Sequence, residues 1–115
     1  MLTINGNQMP SPSALSVALE PVAGQAERAA SGAAVVDFLG DKRRLRLKWA
    51  SLTGPQLRAL LEAVSGGFFQ AEYPDPVTGQ ISAVTCWCAS RGMGLRWVRD
   101  GAALWKDVEM EWMER

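Results

Sequence analysis

The chain is predicted to be mainly β: an antiparallel sandwich or curved barrel-like sheet of about seven or eight strands with one α-helix over about residues 54–64. Three observations predict it. From Arg44 to Trp49 basic and apolar residues alternate strictly, which in an extended strand places Leu45, Leu47 and Trp49 on one face and Arg44, Arg46 and Lys48 on the other. Val108 to Trp112 repeats the pattern with acids, Glu109 and Glu111, in place of bases. Between these segments lies a single stretch with helical period and a complete start signal, Leu52 to Val64.

Taken in order, Leu2 to Ile4 reads as a short strand entering a tight turn at Asn5-Gly6, because Asn and Gly tolerate the positive φ such turns require. Met9-Pro10-Ser11-Pro12-Ser13 keeps the backbone extended. Leu15 to Leu19 is a second strand, which Pro21 is expected to stop. From Ala23 to Ala34 the residues are almost all Ala, Gly and Ser, with Gln25, Glu27 and Arg28 as the larger polar groups. So few large apolar side chains predict an exposed loop; an arm that orders on a neighbouring copy and a short helix at 24–30 are the alternatives. Val35 to Leu39 and Arg43 to Trp49 are read as a hairpin turning at Gly40-Asp41.

The helix is the best-defined element. Thr53 and Gln56 have the spacing at which each side chain satisfies the other's backbone N–H, and Leu52 and Leu57 occupy the flanking staple positions. Pro55 falls in the first turn, where no intrahelical donor is lost. Leu57, Leu60, Leu61 and Val64 form one apolar stripe, and Ser65-Gly66-Gly67 ends it. Phe68 to Tyr73 and Gln80 to Ala89 are strands joined by the turn-forming Pro74 to Gly79. Ser90 to Gly94 is expected to break the sheet. Leu95 to Val98 resumes it, Arg99-Asp100-Gly101 turns, and Leu104 to Trp112 closes the chain.

At 115 residues the chain fits one domain with one core. A composition 48% hydrophobic and 21% charged, with five Trp, places it among ordered globular proteins. Twelve basic and twelve acidic residues cancel, so no long-range field recruits nucleic acid or an anionic membrane. No apolar run reaches the roughly 20 residues that span a bilayer, and the first residues lack a signal-peptide pattern, so a cytoplasmic protein is expected. Cys86 and Cys88 fit that compartment as free thiols.

Histidine is absent, which removes the commonest general base and metal ligand and with them Ser-His-Asp and Cys-His catalysis. Cys86 and Cys88 share a strand face and could supply half of a zinc site, but no matching second pair exists; core packing is the plain reading. Glu109 and Glu111 share a face about 7 Å apart, within the range of glycosidase carboxylate pairs. Strand alternation produces such pairs routinely, so the plain reading is a solvated row or one paired across strands with Arg44, Arg46 and Lys48. The basic run from Lys42 could touch phosphate, yet a solvated sheet face is the default for a net-neutral domain. Gly92-Met93-Gly94 lacks the strand-to-helix context of a phosphate loop. Trp49 and Trp112 fall on core faces; Trp87, Trp97 and Trp105, if exposed, would mark an interface, because Trp and Arg are enriched at binding hot spots.

The opening Met1 to Gly6 with Met9 to Ser13, the central Lys42 to Trp49, the hairpin from Phe69 to Gly79 with Tyr73-Pro74-Asp75-Pro76, and the close from Leu104-Trp105 to Glu114-Arg115 together resemble a family of small proteins. These are encoded in the tail-gene module of phages and prophages of Gram-positive bacteria. The resemblance covers nearly the whole chain. It implies a tail-tube-like or distal-tail-like β-sandwich with a helix, a single domain over 1–115, and a virion tail role reached after synthesis in the host cytoplasm. It implies no catalytic residue, cofactor or metal. The expected partners are other copies of the chain, arranged in a ring, and neighbouring tail proteins, with DNA contact only by passage through a tail lumen. The expected interface residues are Arg28, Arg44, Arg46, Lys48, Trp87, Trp97, Trp105, Glu109 and Glu111. A tail-assembly factor absent from the finished particle is the first rival, and a carbohydrate-active enzyme using Glu109 and Glu111 the second.

Overall fold

The computed structural model describes residues 2–23, 27–28, 34–35 and 38–115, with side chains for 2–21 and 41–115. Its strands are β1 (Thr3–Ile4), β2 (Asn7–Gln8), β3 (Ala14–Ala23), β4 (Glu27–Arg28), β5 (Ala34–Val35), β6 (Phe38–Thr53), β7 (Phe69–Asp75), β8 (Gln80–Arg99) and β9 (Ala102–Glu114), with one helix, α1 (Gly54–Val64). Seven strands form one antiparallel sheet in the order β2-β1-β7-β8-β9-β6-β3, and β4 pairs with β5 apart from it. The mainly-β architecture, with a single helix among the described residues, is the predicted one. The sheet curls without closing into a barrel.

Strand alternation decides which side chains enter the concave side. Leu45, Leu47 and Trp49 of β6, Val108, Met110 and Trp112 of β9, Cys86 and Val84 of β8, and Phe69, Ala71 and Tyr73 of β7 are all buried. Leu2, Ile4 and Met9 complete the core from the N-terminal hairpin, whose turn has φ of 51° at Asn5 and 83° at Gly6. The Trp49 indole N–H donates to the Pro10 carbonyl at 2.9 Å, which fixes the extended Met9–Ser13 segment to β6.

The helix starts where predicted. The Thr53 N–H donates to Gln56 Oε1 at 3.0 Å and the Gln56 N–H donates to Thr53 Oγ1 at 3.4 Å, a reciprocal cap. Leu57, Leu60 and Val64 are buried against β6 and β9, with Leu61 partly covered. Each fully buried Leu contributes up to about 1.5–3 kcal/mol.

Three sequence expectations are corrected. Pro21 does not stop β3, which runs on to Ala23. β3 is the edge of the sheet, where an absent N–H costs nothing if it would point away from the ladder. Gly40-Asp41 is no hairpin turn: β6 passes straight through it, with Val22 opposite Gly40 and Pro21 opposite Asp41. Nor does Ser90 to Gly94 break the sheet. β8 continues to Arg99, and its irregular residues are absorbed as register shifts between Cys88 and Ser90, Gly92 and Gly94, and Leu95 and Trp97. Within 23–34 only Ala23, at the end of β3, and Glu27, Arg28 and Ala34, in the paired strands β4 and β5, are described; the rest of the expected loop and of the alternative helix lies outside the described residues.

Candidate interaction surfaces

The two charged rows face each other. β6 and β9 are neighbours in a register that sets Arg46 opposite Glu111 and Lys48 opposite Glu109. Lys48 Nζ lies 3.3 Å from Glu109, Arg46 Nε 3.4 Å and Arg44 Nε 3.2 Å from Glu111, and Arg44 Nη2 2.8 Å from Glu20 on β3. Three strands are thus laced by ion pairs on the convex face. The exposed pairs contribute at most about 1 kcal/mol each, and their main effect is to select the register. A shallow concavity beside them is lined by Arg46, Lys48, Ser90, Gly92, Glu109 and Glu111.

Both glutamates are thus engaged by cations of the neighbouring strand, the cross-strand pairing that strand alternation predicts for them. Replacing Glu109 and Glu111 by Gln is expected to lower the unfolding free energy by only about 1–2 kcal/mol in total, with native far-UV circular dichroism retained. A loss above about 4 kcal/mol would show that the rows do more than set register.

The tryptophans divide. Trp49 and Trp112 are buried as expected. Trp87 is 42% exposed on β8. Trp97 and Trp105 are partly buried; the Arg99 guanidinium stacks 4.7 Å over the Trp97 ring, and Trp105 packs against the core. Arg28 falls on the short β4 strand, and its side chain lies outside the described residues.

Only Gln80 to Cys86 of β8 pairs with β7, while β9 accompanies β8 to Arg99. Among the described residues, the β7-side edge of β8 from Trp87 to Arg99 therefore has no neighbouring strand. Along it stand the exposed Trp87, Met93, Leu95 and Val98 together with Arg91, Arg96 and Arg99.

A second polar cluster lies inside. Arg43 shares strand parity with Leu45, so it points to the concave side, where Nη2 reaches Asp75 at 2.9 Å and Nη1 reaches Glu114 at 3.2 Å. The Asp75 side chain is fully buried. Asp75 Oδ1 also accepts the Val77 N–H at 3.0 Å, and its carbonyl accepts the Gly79 N–H, which shapes the β7–β8 turn. Burial opposes the Arg43 charge, but the Asp75 carboxylate more than offsets this and raises the guanidinium pKa. Beside the cluster, burial and then the Asp75 charge push Tyr73 up to about 12, and burial pushes Cys86 up to about 12. Cys86, with no exposure, packs in the core as a free thiol.

Both groups are raised above their unfolded values of 10.0 and 9.0. Above pH 9 the unfolded chain sheds these protons before the native one does, so the native state binds more protons and stability falls as pH rises toward 12. Urea midpoints are expected to drop across that window, and less steeply in Tyr73→Phe and Cys86→Ala. Midpoints that fall equally in all three proteins would show that other groups cause the loss.

Sequence parity could have found Arg43, which follows the same alternation as Leu45 and Leu47; the run of four charges from Asp41 to Arg44 hid it among surface residues. Among the described residues no group of three or more acidic or cysteine side chains could hold a metal ion, and no helix is long and apolar enough to cross a membrane. The chain matches no known protein family and no curated protein.

Proposed function

We propose that the chain is a structural component of a phage or prophage tail that works by protein–protein contact, assembling as a ring in the tail-tube, distal-tail or baseplate region. The observation that carries this reading is the surface of β8 past Trp87. There one Trp, three other large apolar side chains and three arginines lie along a strand edge with no neighbouring strand among the described residues. Aromatic and Arg side chains with an apolar centre are the composition of interface hot spots. The resemblance of the opening, central and closing segments to small tail-module proteins points the same way. The convex charged rows, neutralised within the chain, take the role of framework.

Mass spectrometry of purified particles tests the assignment together with light scattering of the isolated protein. A component appears in the particle and forms a discrete ring. Detection in lysates but not in particles, with a persistent monomer in solution, would replace this reading by that of an assembly factor.

A further inference from the structure

We infer that β3 is a two-fold docking edge through which a second copy of this chain adds its own β3 antiparallel, continuing one sheet into the other. Among the described residues, only β6 pairs with β3, and no other backbone hydrogen bond reaches it past Ser13. Pro21 sits in register opposite Asp41 without interrupting the ladder, as it can where its missing N–H would point to the open side. Backbone groups two residues apart point the same way in an antiparallel ladder. Leu15, Val17 and Leu19 therefore present their N–H and C=O groups at the open edge.

That edge is self-complementary. Leu15-Ser16-Val17-Ala18-Leu19 reads almost the same in both directions, so a two-fold axis through Val17 sets Leu15 opposite the second copy's Leu19 and Val17 opposite its own counterpart. All three are on the concave face, where Leu19 is 47% exposed. They adjoin a slot lined by Leu15, Val17, Pro74, Asp75, Pro76 and Gly79, whose apolar side chains would pack against those of the added strand. The one charge of the segment, Glu20, falls opposite Ala14 in this register, so no like charges meet. Pro21 ends the ladder against Ser13.

The other open edge is built differently. β8 carries three register shifts and three arginines between Trp87 and Arg99, devices that blunt strand addition, and paired with itself it would bring like charges together. β3 has no register shift from Ala14 to Val22 and no cation. The β3 contact is separate from the β8 surface on which the ring reading rests.

Oxidative cross-linking of Val17→Cys tests the register. A hydrogen-bonded antiparallel pair holds its Cα atoms about 5.5 Å apart, inside the range a disulfide spans. Residue 14 of one copy would lie about 20 Å from residue 14 of the other. Expected is a covalent dimer from Val17→Cys and none above the wild-type level from Ala14→Cys, the wild type controlling for Cys86 and Cys88. Leu19→Pro removes two intermolecular hydrogen bonds while leaving the β6 side of the ladder intact. It should weaken dimerisation about tenfold or more, with circular dichroism unchanged. The inference is overturned by a wild type that is monomeric at every concentration, by equal cross-linking at 14 and 17, or by a folded Leu19→Pro of unaltered mass. A ring that survives Leu19→Pro, in a protein where Val17→Cys does not cross-link, would sink this contact and leave the ring reading standing.

Discussion

Replacing Arg43 by alanine is expected to destabilise the protein by about 3–5 kcal/mol, the cost of leaving a buried carboxylate without its cation. The carboxylate is Asp75, whose side chain has no exposure and whose Oδ2 lies 2.9 Å from the guanidinium. The same guanidinium binds Glu114, whose Oε1 also accepts the Arg43 backbone N–H at 3.3 Å. In the sheet β6 and β7 are separated by β9 and β8, so the Arg43 side chain crosses the concave interior and ties down the curl. Two comparison variants separate charge from packing. Asp75→Asn keeps an acceptor for the Val77 N–H and leaves Arg43 paired with Glu114, and it should cost about 1–3 kcal/mol. Arg43→Met combined with Asp75→Leu removes both charges from the interior and should recover much of the loss seen for Arg43→Ala. Urea unfolding followed by circular dichroism reads all three at constant m-value. A loss below about 1 kcal/mol for Arg43→Ala would mean that water reaches Asp75 and that the ion pair is not the tie across the sheet.

How far the sequence discloses such a site depends on whether the information is local. The capping pair Thr53 and Gln56, the Asn5-Gly6 and Asp100-Gly101 turns and the alternation from Arg44 to Trp49 are local, and each sits in the structure where the residues place it. The facing of the basic and acidic rows was legible as a possibility, because two strands of opposite outward charge favour adjacency. Which strand lies at an edge is not local. Without the sheet order, Pro21 reads as a stop and Ser90 to Gly94 as a break, although an edge position tolerates the first and a long two-stranded extension absorbs the second as bulges. Asp75 reads as a turn residue, which it also is; its partner stands 32 positions away on a strand that is not paired with β7. The β8 surface was half legible. The sequence marks Trp87, Trp97 and Trp105 as interface residues if exposed, but the open edge beside the first two follows only from β7 beginning at Phe69, opposite Cys86.

Trp112→Ala should have an effect of similar size, about 3–5 kcal/mol, from a different cause. Trp112 has no exposure and its ring meets Phe69 edge-on, with centroids 4.9 Å apart and planes at 80°. It stands on β9 opposite Leu45 of β6 and Cys88 of β8, so truncation opens a cavity where three strands contribute side chains and rigid ladders resist collapse. The indole N–H finds no acceptor among the described residues. Trp112→Phe removes that buried donor along with part of the ring, and relief of its desolvation should offset some of the lost packing, leaving a cost well below that of alanine. A double-mutant cycle with Phe69→Leu should give a coupling of about 0.5–1.5 kcal/mol for the edge-on pair. A coupling near zero would reduce the ring contact to area burial alone, and a Trp112→Phe cost equal to that of alanine would mean that the N–H is satisfied in solution. Because Trp112 has no exposure and stands on β9, which lies between β8 and β6 and has no open edge, a folded Trp112→Phe protein should keep the self-association of the wild type. Stability and assembly should therefore respond to different substitutions: the first to Trp112 and Arg43, the second to Val17 and Leu19.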